Sequence, residues 1–223
     1  MKKKGWIYIC IACALLVVFA SLTVLLCCVD VRAAGESQAP VGLATLNEAV
    51  FDALGQSEIA LTLSKAGGLL IIAAVGAFGV LGLAQVIGRK GILRADRELY
   101  FMACGLVLLA VCYVSFEMFV INYRPVLDEG ELAASYPSSH TMLAVAVAGM
   151  GMSYLLGLSK KNALIYACIG VLSAASVVTV ICRLLGGVHW LTDIVGGILL
   201  GAAIVCAYGA ACAFWGKKKE KDS

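Results

Sequence analysis

Six long apolar runs, each bordered by polar or charged residues, divide the chain at approximately 6–29, 67–88, 99–121, 139–158, 162–182 and 190–215. A helix that crosses a bilayer needs about 20 consecutive apolar residues. The pattern therefore predicts six membrane spans. The last run is longer than needed and is expected to tilt or to extend past the hydrocarbon. The longest stretch of mixed polarity is 30–66. In it Leu43, Leu46, Val50, Phe51 and Leu54 recur at helical spacing, with Asn47, Glu48 and Asp52 between them. That spacing predicts a short helix lying in the interface. Its role is either to guide a lipid toward the bundle or to seal it.

Composition agrees with this pattern. The chain is 62% hydrophobic and 14% charged, whereas a soluble domain is about half apolar and a quarter charged. The fold class is all-α, a polytopic membrane protein of six transmembrane helices. Its expected parts are a first helix and outer loop (1–66), a helix-bundle core (67–215) and a basic tail (216–223). The 24 glycines suit close helix packing in lipid. The net charge of +3 does not indicate a nucleic-acid partner, because the basic residues lie in short clusters beside apolar runs. Nine of the 10 cysteines fall inside those runs, where Cys behaves as a small hydrophobe. Cys10 and Cys13 have redox spacing but lack the βα context of a redox motif.

The basic residues also set an orientation. Thirteen of the 17 Lys and Arg fall on one side of the six spans, at Lys2–Lys4, Arg89–Arg97, Lys160–Lys161 and Lys217–Lys221. The other side holds Arg32, Lys65, Arg124 and Arg183. The positive-inside rule then predicts cytoplasmic termini in a cell-membrane protein. Lys2–Lys4 and the apolar run after them resemble a signal peptide, but that run exceeds the usual h-region of about 7–15 residues. An uncleaved span is expected.

Three polar clusters fall together on the predicted outer face: Asn122-Tyr123-Arg124-Pro125, Tyr136-Pro137-Ser138-Ser139-His140 and Cys182-Arg183 through His189 to Asp193. Ionisable residues at hydrocarbon borders are costly to keep. His189 and Asp193 are four apart, so on a helix they would share a face, and the carboxylate would fix the imidazole tautomer. Gly186 and Gly187 would let the backbone turn closely around an anion. Pro137 opens a helix whose start offers serine hydroxyls and free N–H groups, an anion site, with His140 in the first turn. Taken singly, each cluster is also consistent with a capped helix end or a snorkelling arginine.

In combination, Arg124-Pro125, Pro137-Ser138-x-His140 and Arg183-x5-His189-x3-Asp193 resemble the type 2 phosphatidic acid phosphatase family, over roughly residues 67–215. The resemblance implies a bacterial-type membrane hydrolase that acts on a lipid phosphate or diphosphate at the outer face. Undecaprenyl diphosphate, phosphatidic acid and phosphatidylglycerophosphate are substrates of that class. It implies His189 as a nucleophile forming phosphohistidine, Asp193 as its orienting carboxylate and His140 as general acid and then base. It implies Arg124, Arg183, Ser138 and Ser139 as phosphate-binding residues, no metal and no cofactor. The partners it implies are the lipid phosphate and surrounding membrane lipids.

Three positions depart from the family pattern. Cys182 stands where the family has Ser, and Ser139 where it often has Gly. Glu117 stands where the first motif has Lys. On a continuous helix Glu117 would share a face with Arg124, about 10 Å deeper. There it would modulate the site by pairing with Arg124 or Arg183, or by being neutral. Two rival functions remain open at this level: a phosphotransferase using the same residues, and a non-catalytic lipid-binding or flipping homologue.

Overall fold

In the computed structural model, which describes residues 2–159 and 162–215, the chain forms seven α-helices and one small hairpin. Six helices are long and apolar enough to cross a membrane: α1 (Lys2–Cys28), α3 (Glu58–Gly88), α4 (Arg97–Met118), α5 (Ser139–Gly157), α6 (Ala163–Leu185) and α7 (Leu191–Trp215). The protein is an all-α, multi-pass membrane protein. A two-stranded antiparallel hairpin, β1 (Arg32–Ala34) with β2 (Ala39–Val41), and the short helix α2 (Ala44–Leu54) fill the loop between α1 and α3. Lys160, Lys161 and the basic tail 216–223 lie outside the described residues.

The element ends differ from the hydropathy reading for local reasons. Helix α3 begins at Glu58, not near 67, because the Ser57 hydroxyl caps it by accepting from the Ala60 N–H. Its first turns carry Glu58, Ser64 and Lys65, which mask it in an apolar count. Helix α4 stops at Met118, short of 121, because the chain then folds back on itself. Tyr123 pairs with Ala134 and Asp128 with Glu131, around a turn in which Glu129 and Gly130 have positive φ. Helix α6 runs to Leu185, past 182, so Arg183 is its last-turn residue and not a loop residue.

Helices α5 and α7 form the centre. Half of each span is buried inside the protein, against 17% or less for the others. Gly197 and Gly201 permit the contact: a Cβ on Gly197 would lie 2.8 Å from the Ser138 carbonyl oxygen, and one on Gly201 2.9 Å from the Met142 carbonyl oxygen. Helix α1 packs along α7, and α3 along α6. Met142, Met150, Leu200 and Ile204 lie in the core between α5 and α7. At one end, Arg97 donates to the Trp215 carbonyl, and Gly5 lies against Phe214. The three polar clusters gather at the opposite end.

Helix α2 turns a different face inward from the one its leucines suggest. Leu46 and Leu54 are exposed, while Ala44 and Asn47 are buried and Phe51 packs on Trp190. Asn47 donates through Nδ2 to the Gly42 carbonyl and to Thr192 Oγ1, and its Oδ1 accepts from the Thr192 N–H. An amide of α2 thus caps the start of α7.

Candidate active site

The second cluster starts a helix, as its Pro-Ser sequence predicts. Ser138 is the N-cap of α5, its hydroxyl accepting from the Thr141 N–H. The Ser138 N–H is not free for an anion, contrary to expectation. It donates to the Asp193 carbonyl and ties α5 to α7. The open donors at this end are the N–H groups of Ser139 and His140. His140 lies against Gly68 of α3, and its Nδ1 is buried with no partner among the described residues.

The third cluster is organised by helix ends. The N–H groups of Gly186 and Gly187 bond to the Cys182 and Leu184 carbonyls. Gly187 has φ +67, so the pair closes α6 in the manner of a C-terminal glycine cap. It does not cradle an anion. Arg183, two residues before the last of α6, is 5% exposed, and its Nε has no partner among the described residues.

His189 lies two residues before α7, so it and Asp193 do not share a helical face. The Asp193 carboxylate instead reaches back over the helix start and accepts from the Trp190 N–H at 2.8 Å, one half of a capping box. From there Oδ2 lies 3.6 Å from His189 Nδ1. The closer partner of Nδ1 is Ser135 Oγ, at 3.2 Å. The Ser135 hydroxyl donates in a short hydrogen bond to the same Asp193 oxygen, which leaves Ser135 to accept from His189 Nδ1–H. That chain sets the tautomer and leaves the Nε2 lone pair open. His189 is 2% exposed and Nε2 is buried with no partner among the described residues. Burial outweighs the attraction of Asp193 and holds the imidazole below its ordinary value of 6.5, with Arg124 and Arg183 lowering it further.

Trp190 fixes the same loop from the other side. Its Nε1 donates to the Tyr123 carbonyl at 2.7 Å, and its ring packs among Ala34, Val41 and Ala44. Arg124 sits in the folded-back loop. Its N–H bonds to the Ala133 carbonyl, and its Nη1 pairs with Asp128 at 2.7 Å. Arg124, Ser135, Ser139 and His189 line one small cavity, and Glu117 is at its edge. Glu117 is exposed and forms no ion pair with Arg124 or Arg183 among the described residues. The end of α4 at Met118 breaks the helical spacing on which that pairing depended. Ser135, Asp128 and Asn47 carry parts of the site that the sequence motifs do not mark.

The structure therefore brings His189, Asp193, Arg124, Ser139 and His140 to one end of the bundle with Arg183. Three buried polar atoms there, His189 Nε2, Arg183 Nε and His140 Nδ1, are unpartnered among the described residues. Such atoms are uncommon in folded proteins, and a polar ligand at this end of the bundle would satisfy them. Residues 115–216 match the family model described as the PAP2 superfamily. The fold is similar to that of a solved structure described as the first transmembrane PAP2 type phosphatidylglycerolphosphate phosphatase from Bacillus subtilis. The TM-score is 0.61 at 18% identity, covering 87% of this chain and 92% of that one. No curated protein sequence matches the chain.

Proposed function

From the match of residues 115–216 to the PAP2 superfamily model and the site geometry, we propose that the chain is a member of that superfamily and a metal-independent lipid phosphate or diphosphate phosphatase. Its proposed site faces outward, and both termini are cytoplasmic. The observation that carries this reading is the open Nε2 of His189, with Nδ1 anchored through Ser135 and Asp193, beside two arginines.

His189 Nε2 attacks phosphorus in line, and the phosphorus–oxygen bond to the lipid breaks. Arg124 and Arg183 offset the charge on the equatorial oxygens, and the N–H groups of Ser139 and His140 add donors. In this assignment Ser138 acts chiefly by capping α5, with its hydroxyl hydrogen turned toward the anion. His140 protonates the departing oxygen. A water then attacks the phosphohistidine, His140 takes its proton, and phosphate leaves with His189 restored. The imidazole must be neutral to attack, which its burial favours.

The test is phosphate release by the purified full chain in detergent, with EDTA present, from a panel of lipid phosphates and diphosphates. Release in EDTA, together with an acid-labile, alkali-stable phosphoenzyme absent from His189→Ala, is the expected result. Activity that vanishes in EDTA and returns with a divalent ion would overturn the metal-independent reading. Phosphate appearing on an added acceptor lipid instead of in solution would make the protein a transferase.

A further inference from the structure

We propose that Lys65 binds the anion on the leaving-group side of the scissile bond and thereby favours substrates with a second charged group next to the transferred phosphoryl. This inference rests on the assignment of His189 and His140 made above.

Two cavities meet at the site. The nucleophile, Arg124 and Glu117 line the first. The second has a volume of about 490 Å³ and lies between α3, α4 and α5; His140 and Lys65 line it. Ser139 and Tyr113 belong to both walls. In-line displacement places the attacking nitrogen and the leaving oxygen on opposite sides of phosphorus. With His189 in one cavity and His140 in the other, the leaving group departs into the second.

That second cavity is lined mainly by apolar side chains, among them Leu69, Ile72, Leu109 and Leu143. Leu69 and Ile72 are more than half exposed on the bundle surface, so the cavity opens sideways toward lipid. Its walls suit a hydrocarbon tail. They do not suit a free charge, which a low-polarity site accepts only with a partner. Among the residues that line it, Lys65 alone carries a permanent charge. Lys65 forms no hydrogen bond or ion pair among the described residues. It lies one helical turn before Gly68, against which the His140 ring packs, and its exposed, flexible side chain lines the same cavity as His140.

The chemistry separates two substrate types. A lipid monophosphate leaves as an alcohol, and the proton from His140 is sufficient. A lipid diphosphate leaves as a lipid monophosphate, which still carries a negative charge after His140 has protonated the departing oxygen. Only the second needs a cation beside His140. Glu117 adds a negative charge where the resemblance expects a lysine, and Lys65 supplies a lysine from a different helix and on the other side of phosphorus.

The experiment measures binding of two non-hydrolysable lipids to the full chain in detergent: a prenyl methylenediphosphonate and a prenyl monophosphonate of equal chain length. Lys65→Ala should weaken the first by about tenfold or more and the second by less than about threefold, with Lys65→Arg near wild type, as for loss of one charge-assisted contact. Equal weakening of both ligands, as for a lysine that only anchors α3 at the interface, would overturn the proposal. So would no weakening. Phosphate release from a prenyl diphosphate by wild type and by His189→Ala tests the underlying chemistry separately. If those two were equal, the nucleophile assignment would fall whatever the binding result.

Discussion

Ser135 and Asp193 share a hydrogen bond across the gap between the loop after α4 and the first turn of α7, and the same serine hydroxyl is the nearest partner of His189 Nδ1. The serine extends the reach of the carboxylate. Ser135→Ala should lower kcat by about 10- to 100-fold with little change in KM, and Asp193→Asn should lower it by about 10²–10⁴-fold, as for other His-orienting carboxylates. Ser135→Ala with wild-type kcat would show that Asp193 alone orients the ring.

His189→Ala should abolish turnover, and the pH profile of kcat/KM gives a second check. The imidazole is held below 6.5 by burial, so the neutral, attacking form persists as the pH falls to that value. The acid limb should lie below pH 6.5, when His189 finally takes a proton. The same shift bears on stability. The unfolded chain binds that proton more readily than the folded one, so His189's contribution is complete above about pH 6.5 and declines below it. A pH series of melting temperatures for wild type and His189→Asn would show the difference in slope.

Among the described residues Glu117 pairs with no arginine, and its charge repels a phosphate dianion in the cavity that it lines with His189. Glu117→Gln should raise kcat/KM a few-fold, and Glu117→Lys more, up to about tenfold. Lower values in both variants, at unchanged melting temperature, would assign the carboxylate a positive role.

Asn47 fills a position that the amphipathic pattern of α2 assigns to solvent. Its removal would leave the buried Thr192 N–H unpartnered, at a cost of about 1–3 kcal/mol. Asn47→Ala should lower the melting temperature in detergent and reduce kcat as well, since Thr192 adjoins Asp193. A stable variant with reduced kcat would separate positioning from folding; wild-type values of both would remove Asn47 from the site.

An introduced cysteine near residue 130, in a variant without the native cysteines, should react with an impermeant thiol reagent on intact cells. Labelling only after permeabilisation would invert the proposed topology.

The six spans were legible because lipid leaves few ways to satisfy a buried backbone, and apolar runs of sufficient length report that constraint. The motif histidines and arginines were legible because charge at a hydrocarbon border is uncommon. The helix ends were not, because Ser57 and Gly187 set them by local hydrogen bonds that hydropathy does not sense. The role of Ser135 was hidden for another reason. It depends on pairing of Tyr123 with Ala134 and on the approach of α7, contacts that join residues far apart in sequence. Arg124 looked like the end of a span, and only the folded-back loop reveals Asp128 as its partner.

The segment between α1 and α3 does more than cover the bundle. Asn47 fastens it to the start of α7, Trp190 is packed beneath it, and Asn122 holds its Gly42 N–H. A roof joined to the loop of the proposed nucleophile, His189, would disturb catalysis if it swung open for each substrate. Traffic must then divide by solubility: the lipid arrives and leaves within the plane of the membrane, between the helices, while phosphate departs to water. Such a protein meets its substrate at a two-dimensional concentration. Its rate should follow the mole fraction of lipid phosphate in a micelle or bilayer and stay constant when the whole suspension is diluted.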